Sequence, residues 1–107
     1  MKQMISALIK RPGEIPRHVN ISNNLEALQK AVEGYIEAIT VSRGDGRDLV
    51  IICNEEGKIR NMEYNATICG EDFVGPILIV GVDGEDFADL PLTWREMHQL
   101  YPELWEV

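Results

Sequence analysis

The period of apolar and polar positions changes along this chain and marks out most of its elements. Gln3 to Ile9 reads as a first strand, closed by Arg11-Pro12-Gly13, because proline fixes φ and glycine accepts the left-handed region. His18-Val19-Asn20-Ile21 follows as a short second strand or an extended edge. The period then lengthens: Leu25, Leu28, Ala31 and Val32 fall on one face at helical spacing. Asn23 with Glu26 three positions later predicts a capping box, and Gly34 predicts the left-handed stop.

After that helix Tyr35, Glu37, Ile39 and Val41 alternate with Ile36, Ala38 and Thr40, as expected of a strand with one face on the helix. Arg43-Gly44-Asp45-Gly46-Arg47-Asp48 reads as a loop, since two glycines among charges favour tight turns. Leu49 to Cys53 is nearly all apolar, the pattern of a centrally placed strand. Residues 35–41 and 49–53 are therefore expected to form an antiparallel hairpin. Asn54-Glu55-Glu56-Gly57 reads as a turn, Lys58 to Arg60 as the start of a new element, and 61–72 show no firm period. Ile77 to Val82 reads as the last strand. Thr93 with Glu96 repeats the capping-box spacing, and Trp94, Met97, Leu100 and Tyr101 form a helical apolar face ended by Pro102. The expectation is a single α+β domain over residues 1–107: a small antiparallel or mixed sheet with one packed helix and a short C-terminal helix.

Length and charge sharpen this picture. At 107 residues the chain can bury one core and is too short for two. The net charge of -8 is unevenly spread: residues 1–20 carry +3, with Lys2, Lys10, Arg11 and Arg17 against Glu14, while residues 71–107 set nine acids against Arg95. That balance disfavours direct nucleic-acid binding, which needs several cations on phosphates, and suits a basic partner or simple solubility. Cys53 and Cys69 are too few for a disulfide framework and read as buried free thiols in a reducing cytoplasm. The stretch Met4 to Ile9 is too short for a signal-peptide core, and Phe73 to Val82 is half a membrane span, so a cytoplasmic protein without membrane contact is expected.

Candidate chemistry is sparse. Asp83, Glu85, Asp86 and Asp89 suggest a calcium loop, but glycine comes second, Phe87 interrupts, and position twelve is Trp94, so a solvated acidic loop is expected instead. Glu55-Glu56 and Glu71-Asp72 are adjacent pairs whose members point different ways and make no ready dyad. His18 and His98 sit in no motif, the cysteines have no zinc spacing, and Gly44-Asp45-Gly46 lacks the frame of a dinucleotide fingerprint. No enzymatic activity, metal or cofactor is expected. The most interesting polar stretch runs from Lys58 to Thr67. Lys58, Arg60, Asn61, Tyr64 and Asn65 combine cations, amides and a phenol suited to a small anionic aromatic ligand; the plain alternative is a loop with asparagines at its turns.

Three stretches together carry a resemblance: the helix Asn24 to Val32 with Gly34-Tyr35-Ile36-Glu37, then Ile52-Cys53-Asn54-Glu55-Glu56-Gly57-Lys58, then Ile79-Val80-Gly81-Val82-Asp83. In this order they resemble the domain-of-unknown-function family 3846, carried by bacteria, phages and mobile elements, from Asn24 to about Phe87. Similar sequences tend to carry proline-asparagine-arginine beyond the turn, where this chain has Tyr64-Asn65-Ala66 and so keeps the asparagine without the arginine. The resemblance implies accessory work against a host. One implied role is an inhibitor of a defence complex, placing the acids Asp83, Glu85, Asp86 and Asp89 in a basic groove. The alternative is a symmetric oligomer that sequesters a nucleotide signal at subunit boundaries. The first predicts binding that weakens steeply with salt; the second predicts a stoichiometric ligand lost on changing Arg60 or Asn65. The aromatic segment with Trp94, Tyr101, Leu104 and Trp105 either covers the sheet or faces a second subunit.

Overall fold

A computed structural model describes residues 3–107; Lys2, counted above in the basic amino-terminal stretch, lies outside the described residues. The chain runs β1 (Met4–Lys10), β2 (Arg17–Ser22), α1 (Leu25–Val32), β3 (Ile36–Val41), β4 (Leu49–Asn54), β5 (Tyr64–Ile68), β6 (Glu71–Val74), β7 (Ile77–Asp83), β8 (Asp86–Ala88) and α2 (Trp94–Leu100), ending in a 3-10 turn over Pro102–Trp105. The main sheet has the order β2-β1-β7-β4-β3, with β8 paired to the far end of β7, and all its pairings are antiparallel. The fold is α+β, as the periods predict.

The sheet is covered on both faces, which is why β4 from Leu49 to Cys53 and most of β7 are apolar. On one face Leu28 and Val32 of α1 pack on Ile5, Ala7, Ile9, Val50, Ile52, Leu78 and Val80. On the other, a separate antiparallel hairpin of β5 and β6 and the α2 segment bury Ala66, Ile68, Phe73, Met97, Tyr101 and Leu104 against Leu8, Leu49, Ile51, Ile77 and Ile79. All six residues of β4 are buried.

Several expectations need correcting. The first cap is Asn24, whose Oδ1 accepts the Ala27 N–H at 2.8 Å; Asn23 instead donates through Nδ2 to the Phe87 carbonyl at 3.1 Å. The residue three on from Asn24 is Ala27, so no reciprocal box forms. Glu33, not Gly34, takes the left-handed position, at φ 65. Gly34 is needed for a different reason: a Cβ there would stand 2.6 Å from Asn54 Nδ2. The element that starts at Lys58 to Arg60 is one helical turn in which Met62 N–H reaches the Gly57 carbonyl and Asn61 N–H the Lys58 carbonyl. That pair of bonds is a Schellman closure around left-handed Asn61.

The poorly patterned 61–72 stretch hides the β5–β6 hairpin. Its two-residue turn, Cys69-Gly70, holds both residues at positive φ, 50 and 80, which matches the twist of the flanking strands. Cys69 is therefore exposed, and only Cys53 is buried. Ile77–Asp83 is followed by β8 and is not the last strand. Thr93 and Glu96 do form the expected capping box. On the C-terminal helix Met97 and Tyr101 are buried, while Trp94 and Leu100 are nearly half exposed; Leu104, from the 3-10 turn, fills the core place instead.

Candidate functional site

Two of the three stretches that carry the family resemblance, the end of α1 with β3 and the Asn54-Glu55-Glu56-Gly57 turn, meet at one end of the sheet, while the third runs along β7 to the opposite end. Asn54 organises the junction. Its Oδ1 accepts the Glu56 N–H at 2.8 Å, bending the chain in an Asx turn, while its Nδ2 donates to the carbonyls of Val32 and Glu33 at 3.0 and 3.1 Å. Arg60 Nη1 adds a bond to the same Glu33 carbonyl at 3.1 Å. Together they satisfy carbonyls that a helix end leaves unpaired, and the guanidinium lies on the favourable side of the helix dipole. The motif Asn54-Glu55-Glu56-Gly57 is thus first of all a clamp on α1, and Arg60 is part of it.

Beside this clamp a cleft of about 100 Å3 opens between the β3–β4 hairpin and β6. Glu37, Glu55, Glu71 and Asp72 border it together with Lys58, over a floor that includes Ile39, Cys53 and Phe73. Among the described residues none of the four carboxylates is in an ion pair. Burial, reinforced by the Glu37 charge, pushes the Cys53 thiol up to about 11, so this cysteine stays protonated at neutral pH and is a poor nucleophile. Ile59 stands at the rim with 84% of its surface exposed. The volume takes the end of one long side chain and falls well short of the few hundred Å3 a drug-sized ligand fills.

The five residues expected to bind a ligand do not converge. Lys58 borders the cleft; Arg60 caps α1; Asn61 closes the turn that follows. Tyr64 lies on the outer face of β5–β6, its hydroxyl 2.6 Å from Thr67 Oγ1, which donates to Asp72 Oδ1 at 2.6 Å. Asn65 is 7% exposed and wholly engaged. Its Nδ2 donates to the carbonyls of Lys10 and Gly75, both at 2.7 Å, and its Oδ1 accepts from Lys10 Nζ at 2.9 Å. Lys10 is itself 2% exposed. Burial lowers the pKa of its ammonium below the usual lysine value, with the Glu14 charge acting weakly the other way. This lock ties β1 to β5, and the sequence offered no sign that a lysine at the end of β1 points inward.

The acidic set divides as well. Asp83 and Asp86 face each other across the last rung of the β7–β8 hairpin, with Gly84-Glu85 as its turn. All three acids are exposed. Like charges directly opposite on a two-stranded ribbon repel, so the tip is a concentrated negative spot. Asp89 turns inward: its Oδ1 accepts the Ser6 N–H at 2.9 Å, and it serves to hold β8 against β1. A third group of charges joins the 43–48 loop to α2. Arg43 and Arg47 lie 3.0 and 3.3 Å from Asp45, and Arg47 lies 2.8 Å from Glu96. The Arg43 hydrogen bond, with help from the Arg47 backbone, holds the Asp45 carboxyl down to about 2.

In the C-terminal segment Trp94 and Trp105 make an edge-to-face pair at 5.3 Å, with His98 4.7 Å from Trp105. The aromatics thus pack on one another and, through Tyr101 and Leu104, on the sheet. Among the described residues no three His, Cys, Asp or Glu side chains are placed to hold a metal ion, and no helix is long and apolar enough to cross a membrane.

These features define a small α+β protein in which two surfaces, the cleft and the hairpin tip, are rich in carboxylates. The family described as Domain of unknown function (DUF3846) matches residues 4–101, and the chain belongs to it. The match takes in β1, β2 and α2, well beyond the stretch from Asn24 to Phe87 that carries the resemblance by eye. No curated protein and no solved structure gave a significant match to the chain.

Proposed function

We propose that this protein acts by binding: a phage or mobile-element accessory protein that inhibits a host defence complex by presenting carboxylates to a basic surface of it. The observation that carries this reading is the hairpin tip. Asp83 and Asp86 oppose each other with Glu85 between them, an arrangement that costs stability in the free protein and that cations of a partner relieve. Glu37, Glu55 and Glu71 around the cleft, in no ion pair among the described residues, extend the same potential, which steers a basic partner into encounter. The nucleotide-sequestering alternative draws less support. A second depression, about 320 Å3, is bordered by Arg11 but also by Glu14, Glu33 and Glu63, a poor setting for phosphate.

The test is to express the protein in bacteria carrying individual defence systems and to measure phage plating. Restored plating against one system, lost on combining Asp83→Lys, Glu85→Lys and Asp86→Lys in a variant that still folds, supports the reading. Unchanged plating against every system, with the wild-type protein abundant and folded, overturns it.

A further inference from the structure

The two outer strands of the main sheet are guarded very differently. Glu55 N–H donates to the Tyr35 carbonyl at 2.8 Å, and the register pairs Ile36 with Asn54 through Val41 with Leu49. Hydrogen-bonded and non-hydrogen-bonded pairs alternate between antiparallel strands. Tyr35, Glu37, Ile39 and Val41 therefore turn their backbone groups to β4, whereas Ile36, Ala38 and Thr40 turn theirs outward. No described residue pairs with those outward groups, and Ala38 and Thr40 are exposed. Proteins usually blunt such an edge with lysine, proline or a bulge. β3, reading Ile-Glu-Ala-Ile-Thr-Val, has none of these and keeps a regular register over all six residues. The opposite edge, β2, begins with Arg17 and His18 directly after Pro16.

We propose that the free edge of β3 is a strand-docking site for an extended, basic segment of a partner protein. The inference rests on the acidic-surface reading above and gives it a geometry. An added strand pairs its backbone with Ile36, Ala38 and Thr40. Its alternate side chains fall beside Glu37 and Ile39, over the cleft where Glu55, Glu71 and Asp72 wait. A lysine or arginine there lays its aliphatic stem along Ile39 and Phe73 and brings its head to the carboxylates. Charge complementarity decides the occupant. A second copy pairing about Ala38 would set the two Glu37 carboxylates diagonally on one face and bring two acidic clefts together, in a chain whose net charge is already -8.

The experiment is residue-resolved amide hydrogen exchange by NMR, with a synthetic peptide of alternating lysine and valine and a glutamate–valine peptide as control. With the lysine peptide the amides of Ile36, Ala38 and Thr40 gain protection, and salt reverses the gain. The glutamate peptide protects none of them, and the outward amides on β2 (His18, Asn20 and Ser22) stay unchanged with both. Ala38→Pro removes one outward donor at an edge where proline is tolerated, and weakens the lysine peptide about tenfold. Should that variant misfold, Glu37→Lys with Glu71→Lys replaces it and abolishes the gain. Protection on β2 alone, equal response to both peptides, or no protection at β3 overturns the inference. So does a wild-type dimer that Ala38→Pro turns into a monomer. The plating assay separates the two readings. If Ala38→Pro plates like wild type while the hairpin-tip variant fails, the binding function stands and the β3 site falls. If wild type never affects plating yet β3 gains protection, the defence-inhibitor reading falls and the strand site stands.

Discussion

The two faces of the central sheet are covered by different means. The α1 face is sealed mainly by apolar contact: Leu28 and Val32 sink into a layer of aliphatic side chains, Asn24 caps the front of the helix, and Asn54 of β4 with Arg60 bonds the carbonyls at its end. The β5–β6 face also has an apolar layer, but its hairpin is pinned by a buried polar knot of Lys10, Asn65 and the Gly75 carbonyl. A helix satisfies its own backbone and needs only a greasy face and capped ends. A two-stranded hairpin is marginal by itself, and a buried amide bridging two segments fixes where it lands. The difference teaches why the cleft lies on the second face. The hairpin rests on the sheet through a few contacts and leaves a gap beside β3.

The sharpest way to break the comparison is Asn65→Ala. It strands two buried carbonyls and leaves a buried ammonium with only the longer 3.4 Å contact to the residue 65 carbonyl. The expected loss is about 4 kcal/mol, measured as a lowered denaturant midpoint, with the β5–β6 amides exchanging first. Next in size, Leu28→Ala costs about 3 kcal/mol through the cavity under α1 and leaves the exchange of the β5–β6 amides tracking global unfolding.

Lys10→Met sharpens the contrast through pH. The lysine has a lowered pKa in the folded state, so between that value and the unfolded 10.5 the unfolded chain binds more protons. Wild type must therefore gain stability relative to Lys10→Met as pH rises through that window; parallel denaturation curves from pH 7 to 11 check it, and a constant gap sinks the account of a charged buried lysine. The smallest effect belongs to the β5–β6 turn. Cys69→Gly relieves a non-glycine residue at φ 50 and raises stability by about 0.5 kcal/mol. In native wild type a thiol reagent labels Cys69 at once, whereas Cys53 reacts only on unfolding.

How much of this was legible in the sequence follows from how local each interaction is. The 3.6-residue spacing of Leu28 and Val32, the continuous apolar run of β4 and the Thr93–Glu96 box each encode a structure settled within a few residues, and each reads correctly. The sequence does not fix the start of α1 because Asn23 and Asn24 are equally good caps, and only the Phe87 carbonyl across the fold tells them apart. Residues 61–72 are illegible because β5 alternates weakly: exposed Tyr64 and half-buried Thr67 sit beside buried Asn65, Ala66 and Ile68, with a register shift between Tyr64 and Ala66.

The candidate site shows the same limit. Lys58 to Thr67 reads as one ligand-binding stretch because its polar residues are close in sequence, but the turn around Asn61 and the strand after it send its five candidate residues to five different places. Conversely, Glu37, Glu55, Glu71 and Asp72 come from separate elements, and nothing in their spacing announces a common cleft. The sequence alone determined the class, the acidic balance and the elements whose period is strong, since these depend on side-chain chemistry and local backbone preference. Only the tertiary structure decided which polar residues are spent internally and which face water. That choice is made by contacts between residues tens of positions apart: Lys10 with Asn65, Ser6 with Asp89, and Asn54 with the end of α1.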